Sequence, residues 1–179
     1  MNKELIISRF FEAPRERVWK AWTDPDEAKK WWGPKGFTAP MIEIDFHVGG
    51  KYLFCMRGAT TPGGKEQDFW STGVYREITP MEKIVVTDSF ADEKGNVVPA
   101  SYYGMESIDI WPLELEVTVK FEKQGMMTRL TIHYPSFPSD QIEGARAGWN
   151  SSLDKLAESL TEQKERAGVS ASALKNEER

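Results

Sequence analysis

The sequence predicts an α+β domain in which a curved antiparallel sheet wraps around one long C-terminal helix, with two short helices after the first strand. From residue 37 to residue 135, apolar side chains alternate with polar ones, which is typical of half-buried strands. Short turns join these segments, so that neighbouring strands run antiparallel. From Ile142 to Leu160, apolar residues recur every three or four positions, as in a helix that lies on an apolar surface.

The N-terminal part predicts one strand and the two short helices. The apolar run from Glu4 to Glu12 is typical of a strand. Pro14 suits the start of a helix, because its missing N–H is not needed there. Asp24 can cap a second short helix, which we expect to carry Trp31 and Trp32 before it ends at Gly33.

The alternating region predicts the rest of the sheet. The expected strands cover residues 42–46, 51–57, 68–78, 83–90, 113–122 and 128–134. The segment from Val97 to Pro112 has poor periodicity and is predicted to be a long loop. We expect a single domain over residues 1–166 and a flexible tail over residues 167–179, which are rich in Gly, Ser, Ala and charged residues.

Composition and charge exclude several classes of function. Lys and Arg number 23 and Asp and Glu 28, which gives a net charge of −5 and disfavours nucleic-acid or anionic-membrane partners. Cys55 is the single cysteine, so an internal disulfide or a cysteine-based zinc site is excluded. The first residues carry charges and do not resemble a signal peptide. We therefore expect a cytoplasmic protein without a cofactor or metal.

The polar residues with chemical potential are predicted to lie on outward strand faces. His47 and His133 share such faces with charged or polar neighbours, and so does the carboxylate pair Glu43 and Asp45. Cys55 has no histidine near it in the sequence and is interpreted as a structural thiol. The paired glycines join strands without the sequence of a phosphate-binding loop, and we predict no catalytic residue.

The aromatic residues are the strongest functional signal. Seven Trp, nine Phe and five Tyr are present, and large rings come from every element expected around the centre of the domain. They either fill the core or line a ligand cavity, and both interpretations stay open at this point. The predicted cavity residues are Trp31, Trp32, Phe37, Phe46, Tyr52, Phe54, Met56, Trp70, Tyr134, Trp149 and Leu153. The segment around Trp31 and Gly33 is the expected entrance, and Tyr102 and Tyr103 are candidates for a lid.

Short motifs in a common order over roughly residues 4–163 carry a family resemblance. They include Arg9-Phe10-Phe11-Glu12-Ala13-Pro14, Trp31-Trp32-Gly33-Pro34-Lys35-Gly36-Phe37, Val48-Gly49-Gly50, Gly73-Val74-Tyr75, Thr128-Arg129-Leu130-Thr131, and Gly148-Trp149 with Leu153-Asp154-Lys155-Leu156. The chain resembles the activators of heat-shock-protein-90 ATPase, within the START-like (SRPBCC, polyketide cyclase) superfamily. The resemblance implies the helix-grip fold, also called Bet v 1-like, with a hydrophobic cavity between sheet and long helix, and a role in the stress response.

These observations lead to two functional hypotheses. The first is a non-enzymatic domain, monomeric or homodimeric, that binds a small apolar or aromatic ligand in the cavity or a protein partner such as a chaperone. The alternative is a cyclase- or hydrolase-like enzyme that uses the same cavity. It requires an inward-pointing polar group, for which the candidates are Arg57, Tyr75, Glu106 and Asp109.

Overall fold

The computed structural model describes residues 1–107 and 110–177. Within them the chain forms seven β-strands, three α-helices and two short 3-10 helices. The strands are β1 (Asn2–Phe11), β2 (Thr38–Ile44), β3 (Lys51–Gly58), β4 (Gln67–Thr79), β5 (Lys83–Ala91), β6 (Leu115–Gln124) and β7 (Met127–Pro138). The α-helices are α1 (Arg15–Thr23), α2 (Pro25–Ala28) and α3 (Ile142–Glu177), and the 3-10 helices cover Ala100–Tyr103 and Ser139–Gln141.

The strands form one antiparallel sheet in the order β1-β7-β6-β5-β4-β3-β2. From β2 to β7, strands that follow each other in the sequence are neighbours, and β1 completes the sheet beside β7. Leu153, Leu156 and Leu160 of α3 are buried in the same apolar cluster as the inner face of the sheet. The predicted α+β fold class is confirmed.

Alternating burial explains how the sheet presents one apolar face. On β6, Leu115, Val117, Val119 and Phe121 are buried, whereas Glu116 and Lys120, which alternate with them, are exposed. The predicted start of this strand at residue 113 is wrong by two positions. Residues 113 and 114 are exposed and precede the ladder, which begins at Leu115 opposite β5.

The second helix is shorter than predicted. The Asp24 side chain caps it as expected and accepts hydrogen bonds from the backbone N–H groups of Asp26 and Glu27, at 2.9 and 3.3 Å. However, α2 ends at Ala28, and Trp31 and Trp32 lie in the turn that follows. This turn frees the two indoles to point into the domain instead of following one helix face.

The C-terminal segment also differs from the prediction. Helix α3 continues beyond Arg166 to Glu177, where the sequence predicts a flexible tail from residue 167. Residues 164–170 are exposed, so the helix runs past the domain surface there. The physical reason is that the Ala, Leu, Lys and Glu residues of this segment are good helix formers and extend a helix that is already nucleated. Among the described residues, no helix is long and apolar enough to span a membrane.

Hydrogen bonds attach the long loop before β6 to the strands β4 and β5. The Tyr103 hydroxyl donates to the Ala91 carbonyl at 2.5 Å and accepts from the Trp70 backbone N–H at 3.0 Å. Tyr102 is mostly exposed. These contacts hold both tyrosines away from the centre of the domain, so the structure does not support the predicted lid. Asp109, in the same loop, lies outside the described residues.

One glycine is required where β4 crosses the middle of the sheet. Gly73 pairs with Tyr52 across β3 and β4. A Cβ atom at Gly73 would lie 1.8 Å from the Thr87 carbonyl oxygen and 2.6 Å from the Tyr52 ring. Because one of these neighbours is backbone, side-chain movement alone cannot relieve the clash.

We therefore expect Gly73→Ala to lower the free energy of unfolding by about 2 kcal/mol or more, through overpacking. The matched control is Gly148→Ala in α3, where a Cβ would meet nothing within 4 Å. The control should raise stability by up to about 1 kcal/mol, because alanine favours helix over glycine. Urea unfolding measures both variants, and equal stability of the two would contradict the close approach at Gly73.

Candidate functional site

A small cavity remains between the inner face of the sheet and α3. Its volume is about 50 Å³, which is room for a few water molecules. Pockets that hold drug-sized ligands are larger, at roughly 300–1,000 Å³. The residues that line this central cavity are Trp22, Trp32, Tyr52, Phe54, Tyr75, Ile84, Val86, Asp88, Val117, Val119, Tyr134 and Trp149.

The alternation along β5 and β6 builds one wall of the central cavity. Ile84, Val86 and Asp88 are two positions apart on β5, so their side chains share one face of the sheet. Val117 and Val119 do the same on β6. Asp88 therefore continues the inward-facing row of Ile84 and Val86, and it places a carboxylate inside the domain.

Two tyrosines hold the Asp88 carboxylate. The Tyr52 hydroxyl donates to Asp88 Oδ1 at 3.1 Å, and the Tyr134 hydroxyl donates to Asp88 Oδ2 at 3.0 Å. Since the two tyrosines come from β3 and β7 and Asp88 lies on β5, these hydrogen bonds connect strands from both halves of the sheet.

Burial dominates the electrostatics of this network. Burial raises the pKa of Asp88 above its usual value, and the hydrogen bonds from Tyr134 and Tyr52 partly oppose the shift. Burial and the nearby Asp88 charge raise the pKa of both Tyr52 and Tyr134 well above the usual value. Both hydroxyls therefore keep their protons near neutral pH and act as donors to the carboxylate.

A lysine on α3 fastens the segment that carries Trp32. The Lys155 ammonium donates to the carbonyl oxygens of Gly33 at 2.9 Å, Phe37 at 3.1 Å and Trp32 at 3.4 Å. Burial lowers the pKa of Lys155. The Trp32 ring packs edge-on against Trp149, with 5.6 Å between the centroids. This rim segment, residues 32–37, therefore holds Trp32 at the edge of the central cavity.

The structure brings some of the predicted cavity residues together. Those that line the central cavity are Trp32, Tyr52, Phe54, Tyr134 and Trp149. Trp31, Phe46 and Leu153 pack in the adjacent core without lining it. Trp31 in particular is fully buried and uses its indole N–H to bind the Ala21 carbonyl at 2.9 Å. Whether the lining residues bind a ligand stays a prediction.

Three predicted cavity residues lie away from the central cavity. Phe37 packs against Gly58 and Phe69 at the far end of the sheet. Met56 lies beside Gly33, under the segment that follows α2. Trp70 follows the buried Phe69, and because successive strand side chains point to opposite faces, it points outward.

The cavity residues predicted from the sequence did not include Trp22 or Asp88. The usable signal for Asp88 was the alternation Ile84, Val86, Asp88, which places the carboxylate on the apolar face of β5. Trp22 lies at the end of α1 and stacks on Trp149, with 5.8 Å between the ring centroids. Its indole N–H is buried without an acceptor. Tyr75, a candidate inward-pointing residue of the enzyme alternative, does line the central cavity.

The two histidines lie on the outer surface, as predicted. His47 is exposed and pairs with Asp45 at 2.8 Å. His133 is partly exposed and pairs with Glu4 at 2.9 Å. Among the described residues, no group of three or more His, Cys, Asp or Glu side chains could hold a metal ion. The buried Cys55 is a poor nucleophile, since burial and the Asp68 charge raise its pKa to about 11.

A second, outer cleft of about 400 Å³ opens where β4, the turn after β5 and the 3-10 helix meet. Its walls include Asp68, Trp70, Asp92, Tyr102 and Tyr103. Both aspartates already have partners within the fold. Asp68 forms a bidentate pair with Arg57 at 2.6 and 3.0 Å, and Asp92 accepts hydrogen bonds within its own turn. The carboxylates of this cleft therefore have structural roles.

The family model described as "Activator of Hsp90 ATPase homolog 1-like protein" matches residues 12–161. The chain belongs to this family. The resemblance seen in the sequence motifs is thereby confirmed. A comparison with curated proteins finds no match.

Several solved structures share the fold of this chain. A crystal structure from Chromobacterium violaceum is 28% identical, with a TM-score of 0.67 over 88% of this chain and 96% of that chain. An Arthrobacter aurescens solution structure is 28% identical, with a TM-score of 0.68 over 89% and 86% of the two chains. The AHSA1 protein from Silicibacter pomeroyi is 22% identical, with a TM-score of 0.67 over 89% and 99%. The helix-grip fold implied by the resemblance is confirmed.

The raised pKa of Asp88 gives this family member a pH-dependent stability. Because the folded state holds the Asp88 proton more tightly than the unfolded state, wild-type stability falls as pH rises from about 4 through the folded-state pKa. Asp88→Asn removes this titration. We therefore expect the difference in Tm, variant minus wild type, to increase between pH 4 and pH 8. The increase should be about 2–4 °C for each kcal/mol of unfolding free energy that the wild type loses.

Thermal unfolding at several pH values measures this difference. Glu93→Gln is the control, because it converts an exposed carboxyl to an amide and should leave the Tm difference constant. A relative Tm of Asp88→Asn that stays constant or falls with pH would contradict the burial argument.

Proposed function

We propose that the protein is a non-enzymatic binding domain that takes a small apolar or aromatic ligand into the central cavity. Asp88 is the observation that supports this most strongly. Burying a carboxylate is costly, and a core built only for stability would place an apolar residue at this position. A carboxylate at the wall of an aromatic cavity is instead typical of a binding site, where a few polar groups orient a largely apolar ligand.

The aromatic lining supplies the affinity. Removing apolar surface from water contributes roughly 25 cal/mol per Å², so even a small ring gains appreciably from burial among indoles. A ligand larger than a few water molecules requires the rim to move. The rim segment, residues 32–37, is the part we expect to move, because polar contacts attach it to α3. Lys155 donates to its carbonyl oxygens, and the Lys35 backbone N–H donates to the Ser151 hydroxyl at 2.8 Å. Water can replace such contacts when the segment opens.

The test is a titration of intrinsic tryptophan fluorescence with neutral aromatic probes that absorb at longer wavelength than tryptophan, namely prodan and N-phenyl-1-naphthylamine. We expect saturable quenching or a blue shift in the wild type. Val86→Phe fills the central cavity and should weaken binding at least about tenfold, since the probe loses its space. Val85→Phe is the matched control, because Val85 is its neighbour on the outer face of β5.

Circular dichroism establishes that each variant is folded, and the milder Val117→Leu replaces Val86→Phe if that variant unfolds. Trp70→Ala provides a second control, because Trp70 lines the outer cleft and not the central cavity. A flat response of the folded wild type to both probes would identify the aromatic residues as ordinary core.

A protein partner is a second candidate, and the family match favours it. The family is described by activation of the Hsp90 ATPase, so the partner to test is a chaperone of the ninety-kilodalton heat-shock class. Such a role would place the protein in the cytoplasmic stress response. Stimulation of that chaperone's ATPase rate by this chain would support it, and an unchanged rate at saturating concentration would exclude it.

Asp88 also supports the enzyme alternative. A buried carboxyl with a raised pKa is suited to general acid–base catalysis. Of the candidates from sequence, Tyr75 lines the central cavity, whereas Arg57 and Glu106 are exposed. In this alternative Asp88→Asn abolishes turnover of a bound substrate while the substrate still binds.

A further inference from the structure

The central cavity has an acidic group in its wall and no basic group among the described lining residues. Among the described residues that line it, Asp88 is the only acidic side chain, and none is Lys, Arg or His. Tyrosine hydroxyls are neutral donors, so the two hydrogen bonds to Asp88 leave its charge without a counter-ion. An ionised carboxylate has about four acceptor positions, and Tyr52 and Tyr134 occupy one on each oxygen. The carboxylate can therefore accept further donors.

The rings that line the same cavity are of the kind that attract a cation. Trp22 and Trp149 stack nearly parallel, at an interplanar angle of 15°. Trp32 lies edge-on to both Phe54 and Trp149, with 4.7 and 5.6 Å between centroids. The negative face of an aromatic ring attracts an ammonium group, most strongly for tryptophan. A cavity lined by both a carboxylate and such rings suits an organic cation better than a neutral or anionic group.

We propose that the ligand of the central cavity is a primary amine on an apolar or aromatic body, with its ammonium nitrogen on the Asp88 carboxylate. The inference rests on the ligand-binding function proposed above and specifies the chemistry of the ligand. The ammonium group supplies the missing counter-charge and up to three N–H donors to Asp88. The hydrocarbon body replaces water against the indoles. A carboxylate ligand is excluded by repulsion from Asp88.

The test is a matched series of probes that differ in one group, namely benzylamine, benzyl alcohol, toluene and benzoate. Isothermal titration calorimetry at pH 7 measures their affinities for the wild type. Hydrogen bonds between charged groups are stronger than those between neutral groups. We therefore expect the affinity for benzylamine to exceed that for benzyl alcohol by about tenfold or more. Benzoate should bind most weakly of the four.

Asp88→Asn keeps the shape of the side chain and removes its charge, and should reduce the benzylamine preference to less than about threefold. Asp88→Leu is the second variant if the first fails to fold, since an apolar residue replaces a buried charge without a desolvation cost. Tyr52→Phe is the control that retains the carboxylate, and it should retain a preference for the amine.

The outcomes separate the two proposals. If the wild type binds toluene and benzyl alcohol as tightly as benzylamine, the amine inference is wrong and the ligand-binding function stands. A preference for benzylamine that persists in the folded Asp88 variants also overturns the inference. If none of the four probes nor the neutral fluorescent probes bind, both proposals fail together.

Discussion

The fold depends on the need to cover one apolar face of a seven-stranded sheet with a single helix. Leu153, Leu156 and Leu160 of α3 provide the apolar contact, and they are almost completely buried. One helix, about 10–12 Å across with its side chains, is narrower than a sheet of this many strands. Aromatic rings from α1 and from the turn after α2 fill the remaining width. A small cavity is left where large rigid rings cannot pack without gaps.

The position of Asp88 links stability to binding. Its carboxylate would be costly in an apolar interior, and the hydroxyls of Tyr52 and Tyr134 offset part of that cost. Tyr52 in turn requires Gly73 opposite it on β4, because any side chain there would meet its ring. A site of this kind is preorganised, since the fold positions the acceptor before any ligand arrives.

The periodicity of the sequence predicts the fold well because the physics of burial is local along a strand or an amphipathic helix. The alternation on β6 and the cap at Asp24 are of this kind. The side-chain directions of residues in turns and at irregular positions are harder to predict from periodicity. Trp31 and Trp32 follow a turn rather than a helix, and Trp70 points outward, since burial of the preceding Phe69 sets the direction of its side chain. Asp88 was readable from alternation, but its tyrosine partners come from strands 36 and 46 residues away.

Both edges of the sheet carry features that protect them against pairing with another chain. An edge strand offers unpaired backbone groups to other chains unless side chains or irregularities protect it. At the β1 edge, Arg146 of α3 donates to the Ile6 carbonyl at 2.8 Å, and Arg9 pairs with Asp154 at 2.6 Å. At the β2 edge, the ladder is interrupted between Thr38 and Met41. Because both edges are protected in this way, strand addition by a partner is disfavoured there. The central cavity beside Asp88 is therefore the better candidate for ligand binding.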